Sequence, residues 1–330
     1  MTALSILDLV PINAGSTLAQ TYANSVKLAQ HVEQCGFRRY WLAEHHNMPG
    51  IGSSSTTLLM SHLAAHTKSI RLGSGGIMLP NHAPLLIAEQ FGTLETLYPG
   101  RIDLGVGRAP GADQATTRAL RRSLDAHPNQ FPNDVLEILN YFEGKGHQGV
   151  QAVPGAGQNI PVWILGSSTY GASLAAELGL PYAFASHFAP RMIEEALSVY
   201  RKKFKPSRHL SKPYVMAGIN VFAADTRAEA EMIASSHRKW VAGVHTGQPT
   251  LLPAPEEGFM ERISPNVRRS LEQELTFTAI GTTDDVRSGL VQFLEFTKAD
   301  ELMIDARIYD PQARCRSYQL AAESIADFLS

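Results

Sequence analysis

The chain has 330 residues, 44% of them apolar and 18% charged, with a formal net charge of −2; that balance suits a folded globular protein with a sizeable core. Basic runs are short, as in RKKFKPSR at 201–208, which argues against a nucleic-acid partner, and no apolar run reaches membrane-spanning length. The two cysteines, Cys35 and Cys315, cannot build a disulfide framework, and the N-terminus lacks a basic leader region, so a reducing, cytoplasmic setting is expected.

Residues 4–11 (LSILDLVP) read as a strand, and 17–35 as a helix stopped at Gly36. RRYWLAEH (38–45) is a second strand, and 54–67 a helix opening on serines. The third strand is 70–79; the helix after it, 84–98, begins on Pro84 and ends before Pro99-Gly100. Residues 102–107 form the fourth strand, followed by a less regular stretch and a helix over 133–143. Strands at 161–166, 182–187 and 214–225 each precede a helix. A proline-bearing segment at 245–270 interrupts the rhythm, which AIGTTDDVRSGLVQFLEFT resumes before an eighth strand at 301–306 and a last helix to Ser330. Eight strand–helix units without a composition break predict one α/β domain over 1–330, a (β/α)8 TIM barrel with insertions after strands 4 and 7. An open doubly wound sheet is the alternative.

In such a barrel the chemistry sits where strands end. Those ends carry Asp8, His45-His46, Gly75-Gly76, Arg108, Gly166-Ser167-Ser168, His187 and Asp225. LGSSTYGA (165–172) runs from a strand into a helix N-terminus, which suits either a phosphate or an ordinary serine cap. Arg108, at the end of the neighbouring strand, would complete a phosphate clamp or make a structural ion pair. Three glycines in GSGGIMLPNHAP fit a flat ring pressed on the backbone or a simple bulge. LGVGRAPG fails as a dinucleotide fingerprint, because its third glycine is one position late and Pro110 falls where a helix should start. Side chains of His45 and His46 point to opposite faces of an extended strand, so the pair does not chelate one ion and no metal is expected.

YWLAEHHNMPG, IRLGSGGIMLPNHAPLLIAEQFGTLETLYPGRIDLGVGRAPG, PVWILGSSTYGASLAAELGLPYAFASHF and AIGTTDDV, in this order and covering most of 1–310, resemble the bacterial luciferase-like flavin-dependent monooxygenase family. The resemblance implies FMN, or in a sister branch the deazaflavin F420, at the C-terminal mouth of a (β/α)8 barrel. By position, Arg108 with Gly166, Ser167, Ser168, Tyr170 and Gly171 would hold the phosphate. Gly75 and Gly76 would lie under the ring, where the family often has a non-proline cis peptide. His45 falls on the catalytic histidine, and Asp8 and His187 are expected on the substrate side. The implied activity is that of a two-component monooxygenase acting on a small organic substrate with dioxygen and reduced FMN, the flavin supplied by a separate reductase. Two alternatives are an F420-dependent hydride-transfer enzyme and a flavin-binding protein with little catalysis. A homodimer is implied as well. Glycines at the ring-contact pair and different insertions depart from the light-emitting members, so light emission is not expected. The 245–270 segment is expected to act as a mobile lid over the strand C-termini.

Overall fold

The computed structural model describes residues 2–109, 114–120 and 130–328. Eight parallel strands close a ring: β1 (Ala3–Asp8), β2 (Arg39–Leu42), β3 (Arg71–Ser74), β4 (Ile102–Gly107), β5 (Val162–Gly166), β6 (Tyr182–Phe184), β7 (Val215–Ala223) and β8 (Glu301–Asp305). Each pairs with the next, β8 pairs back to β1 with Ala3 opposite Glu301, and β7 pairs with β8 from Met216 to Asn220. The expected TIM barrel is therefore the observed one.

Helices α1 (Leu18–Gln34), α2 (Thr56–His66), α3 (Pro84–Leu97), α4 (Gln130–Phe142), α5 (Thr169–Leu178), α6 (Ile193–Lys203), α7 (Arg227–His245), α8 (Pro265–Glu274), α9 (Thr283–Thr297) and α10 (Pro311–Ser324) follow in chain order. Capping boxes start α1 (Thr17 with Gln20), α7 (Thr226 with Glu229) and α9 (Thr282 with Asp285), so each of these helices begins where a side chain meets its first free N–H groups. Among the described residues no helix is long and apolar enough to cross a membrane.

Side-chain alternation sorts the strands into two cores. Leu4, Ile6, Tyr40, Leu42, Leu72 and Leu104 face the helices. Leu7, Trp41, Trp163, Ala183, Met216 and Met303 fill the barrel. At its N-terminal end the inward positions are charged: Arg39 binds Asp103 at 3.0 Å and Glu301 at 2.6 Å, and Arg71 binds Asp103 at 2.7 Å.

Four details differ from the sequence reading. The third strand is not continuous over 70–79: it breaks at Gly75–Gly76, whose peptide is cis as the resemblance implied, after which Ile77–Met78 pairs with the far half of β4. Thr278–Gly281 is a strand of its own, paired with Asn220–Ala223 of β7. The last helix stops at Ser324. The segment after β7 is less irregular than expected, with α7 running to His245, a short helix at Phe259–Arg262, and α8. Leu252 of that segment exchanges backbone hydrogen bonds with Ile12 and Ala14, which follow β1, so the segment lies on the side of the strand C-termini. The insertion expected after strand 4, with Pro110, lies partly outside the described residues.

Candidate active site

A cavity of about 380 Å³ is lined by residues at or just past the C-terminal ends of the strands. Alternation decides which side chains reach it. Trp41, Ala43 and His45 of the second strand and its extension line the wall, as do Leu7 and Leu9 on either side of Asp8. Asp8 itself therefore points outward, a correction to its expected place on the substrate side. It is fully buried, and its oxygens accept from the Val10 N–H, Ser25, Tyr40 and, at 2.9 Å, Arg314. Burial alone would raise this carboxyl, but Arg314 and the hydrogen bonds outweigh it and hold it below its usual value. Asp225 pairs with Arg316 at 2.8 Å.

The other expected residues, Gly75, Gly76, Arg108, Gly166, Ser167, Ser168, Tyr170, Gly171, His45 and His187, all line the one cavity. At the β5–α5 turn, Ser168 is the helix cap but its side chain makes no capping hydrogen bond, so the first N–H groups of α5 are not met by it. The exposed Arg108 guanidinium lies over the Tyr170 ring at 4.1 Å, and no carboxylate among the described residues pairs with it. A Cβ on Gly166 or Gly171 would meet nothing closer than 3.4 Å, so packing within the chain does not demand glycine there. An anionic group resting on the turn would. This end fits the phosphate of a flavin nucleotide.

The third-strand glycines have an internal cause instead. A Cβ on Gly73 would collide with the Trp41 indole, one on Gly75 would come within 2.6 Å of Leu7, and one on Gly76 within 2.9 Å of the Gly105 carbonyl. Close packing of β3 on its neighbours accounts for them without a ring. Gly75 and Gly76 nevertheless form part of the cavity wall, with Trp41 and Leu165 beside them.

His45 is half-buried. Burial, with the Arg307 guanidinium nearby, lowers its imidazole from the usual 6.5 to about 4. It is neutral near pH 7 and able to accept a proton. His187 is lowered to about 4 chiefly by burial, and its Nδ1 has no hydrogen-bond partner among the described residues. His46 turns the other way: its Nε2 bonds Glu44 Oε1 at 2.8 Å, and His82 Nε2 bonds the same oxygen at 2.7 Å. The Met78 N–H meets the second Glu44 oxygen at 3.0 Å. Burial would raise this carboxyl, but the bonds from His82, His46 and Met78 hold it below its usual value. Glu44, His46 and His82 place ligand-type atoms within 4.8 Å of one another, a cluster not foreseen from the alternation of His45 and His46. The arrangement is met by hydrogen bonds onto the shared carboxylate, which anchor the loop that presents His45.

Sequence reasoning also missed Trp240 and Arg307, which line the same cavity as His45. Arg307 lies two residues past β8, one step beyond the predicted end of the eighth strand, and the same strand-end rule would have found it.

A family model described as luciferase-like monooxygenase matches residues 2–297. A protein of Escherichia coli K12 named luciferase-like monooxygenase is 50% identical over 322 residues, 97% of this chain and 96% of its own. An N-acetyl-S-alkylcysteine monooxygenase of Bacillus subtilis 168 is 34% identical over 98% of both chains. The structure of apo-MsnO8 superposes with a TM-score of 0.87 at 31% identity, covering 99% of each chain. Two more distant structures share the fold alone. One is the oxygenating constituent of a 3,6-diketocamphane monooxygenase in complex with FMN (TM-score 0.75, 17% identity, 100% and 99% coverage). The other is an F420-dependent secondary alcohol dehydrogenase (TM-score 0.70, 14% identity, 98% and 99% coverage). A barrel with this mouth, matched end to end at these identities, belongs to the luciferase-like monooxygenase family.

Proposed function

We propose that this chain is the oxygenating half of a two-component, FMN-dependent monooxygenase, which receives reduced FMN from a separate flavin reductase and oxidises a small organic substrate. One observation carries this: a single cavity is lined by Arg108, the start of α5, where Ser168 makes no side-chain cap, and the neutral His45. Reduced FMN, when bound, would supply the electrons that activate dioxygen. Arg108 and the N–H groups at the start of α5 would hold its phosphate. Trp41, Leu165 and the Gly75-Gly76 backbone would keep water from the ring. His45, neutral and facing the cavity, would take up and return a proton during oxygen transfer. Residues 245–270, bonded to the loop after β1, would close over the substrate as a lid. Leu58 on α2 and Leu86 and Leu97 on α3 are exposed, and we assign that face to a homodimer.

The Bacillus subtilis relative supports N-acetyl-S-alkylcysteines as the first substrates to try. F420-dependent hydride transfer is the second reading, because the fold is shared with an F420 enzyme. A third is a flavin binder with little catalysis. Calorimetric titration with FMN and with F420 separates the first two. Turnover with each reduced cofactor separates both from the third: a binder holds FMN and consumes no substrate with either.

A further inference from the structure

The function proposed above assigns Arg307 no contact with the phosphate and no proton to carry. It is 5% exposed, yet it lines the cavity with His45, from a neighbouring sector of the barrel, since β8, β1 and β2 are adjacent. Two groups hold its guanidinium flat. The Trp240 ring lies 4.6 Å from its central carbon, and Asp305 Oδ2 lies 2.8 Å from Nη2. The pairing is incomplete: neither Asp305 oxygen nor Arg307 Nε has a hydrogen-bond partner among the described residues. A guanidinium offers five N–H donors in a planar fork that matches a carboxylate. The histidines nearby, His45, His187 and His237, are all held neutral chiefly by burial. Among the described residues the one carboxylate lining the cavity, Glu274, is bonded to His245. The same cavity is also lined by apolar side chains, among them Met48, Ile51, Met216 and Met303.

We infer that Arg307 anchors a substrate with a carboxylate head on an apolar body, and so sets the substrate class of the active site proposed above, a reading on which this inference rests. Asp305 already neutralises the guanidinium, so a monoanion brings one net negative charge into the buried site and a dianion would bring two, which restricts the head to a single carboxylate. The head would meet the free edge of the fork, and the apolar body would pack on the methionines.

The test is a matched pair of probes, 5-phenylpentanoate and 5-phenylpentanamide, titrated calorimetrically into wild-type protein with and without FMN. The acid is expected to bind about ten- to a hundredfold more tightly than the amide, and Arg307→Met to erase the preference. Because that variant strands Asp305, the double variant Asp305→Asn with Arg307→Met is measured beside it, both checked by thermal melting and FMN affinity. Equal affinity for acid and amide in the wild type overturns the inference. So does a double variant that keeps the preference for the acid while losing FMN, which would give the guanidinium to the flavin. Should wild-type protein bind no FMN, the cofactor proposal falls, while the probe pair in flavin-free protein still decides the role of Arg307.

Discussion

At the N-terminal end of the barrel interior, Arg39 and Arg71 share Asp103, Arg39 also holds Glu301, and Tyr214 donates to Glu301 at 2.9 Å. At the C-terminal end, Arg307 stands 2.8 Å from Asp305, yet among the described residues three polar atoms of that pair and Nδ1 of His187 find no hydrogen-bond partner. Both ends bury the same residue types in one ring of strands. The lower charges satisfy one another, and the Arg39 guanidinium also lies over Trp163 at 5.0 Å, so they close the barrel. The upper ones are only half satisfied by the protein, as expected where a ligand completes the set. Burial of charge is common to plug and site; completeness of its hydrogen bonding separates them.

The contrast can be tested, first at the histidine of the upper end. His45→Ala should leave FMN binding intact but cut product formation by about 10²–10⁴, with reduced flavin diverted to peroxide. His46→Ala, which loosens the Glu44 and His82 cluster, should act on stability and recover most activity once folded. Measuring product per reduced FMN oxidised decides; wild-type coupling in His45→Ala with uncoupling in His46→Ala would reverse the two roles.

At the lower end, Arg39→Met strands parts of two buried carboxylates and should cost about 3–5 kcal/mol of stability. The double variant Asp305→Asn with Arg307→Met removes both upper charges and should stay within about 1 kcal/mol of wild type. Urea denaturation compares them directly, and a double variant as unstable as Arg39→Met would make the upper pair a second plug.

Arg108→Ala sharpens the phosphate end. It should weaken FMN by roughly ten- to a hundredfold, about 1.5–3 kcal/mol, and leave riboflavin almost unaffected. Equal loss for both ligands would move Arg108 off the phosphate.

The smallest effect is in the pH dependence. His45 and His187 both fall from 6.5 to about 4 on folding, so the unfolded chain binds more protons between those values. Stability is then full above 6.5 and declines as pH falls toward 4. Removing one such group by His187→Gln should flatten that slope by at most about 1.4 kcal/mol per pH unit. Urea midpoints at pH 7 and 5 read the slope, and no change would show that His187 is not held neutral.

The barrel was legible because each unit carries its own local signals: Thr17, Thr226 and Thr282 start helices, Pro84 opens one, and strand spacing stays regular. The cavity lining was legible wherever a strand end coincided with an inward position, as at His45, Gly166 and His187. Asp8 went wrong because a strand end alone does not say which face it presents; Leu7 and Leu9 take the inward places. The charges Arg39, Arg71, Asp103 and Glu301, at or near the starts of largely apolar strands, acquire meaning only once the ring is closed and they meet. Glu44 with His82 was hidden for a related reason, since 38 residues separate partners that only tertiary folding joins.

One edge of β7 serves two partners along its length, while the other edge pairs with β6. Residues 216–220 close the ring against β8, while 220–223 receive Thr278–Gly281. Everything between, including Trp240 and the stretch that meets the loop after β1, leaves from and returns to the far half of one strand. The hydrogen bonds that complete the circle do not pass through it. A change in the length or contents of the excursion would therefore leave the hydrogen bonds of the ring intact while altering the side chains, Trp240 among them, that it brings to the cavity.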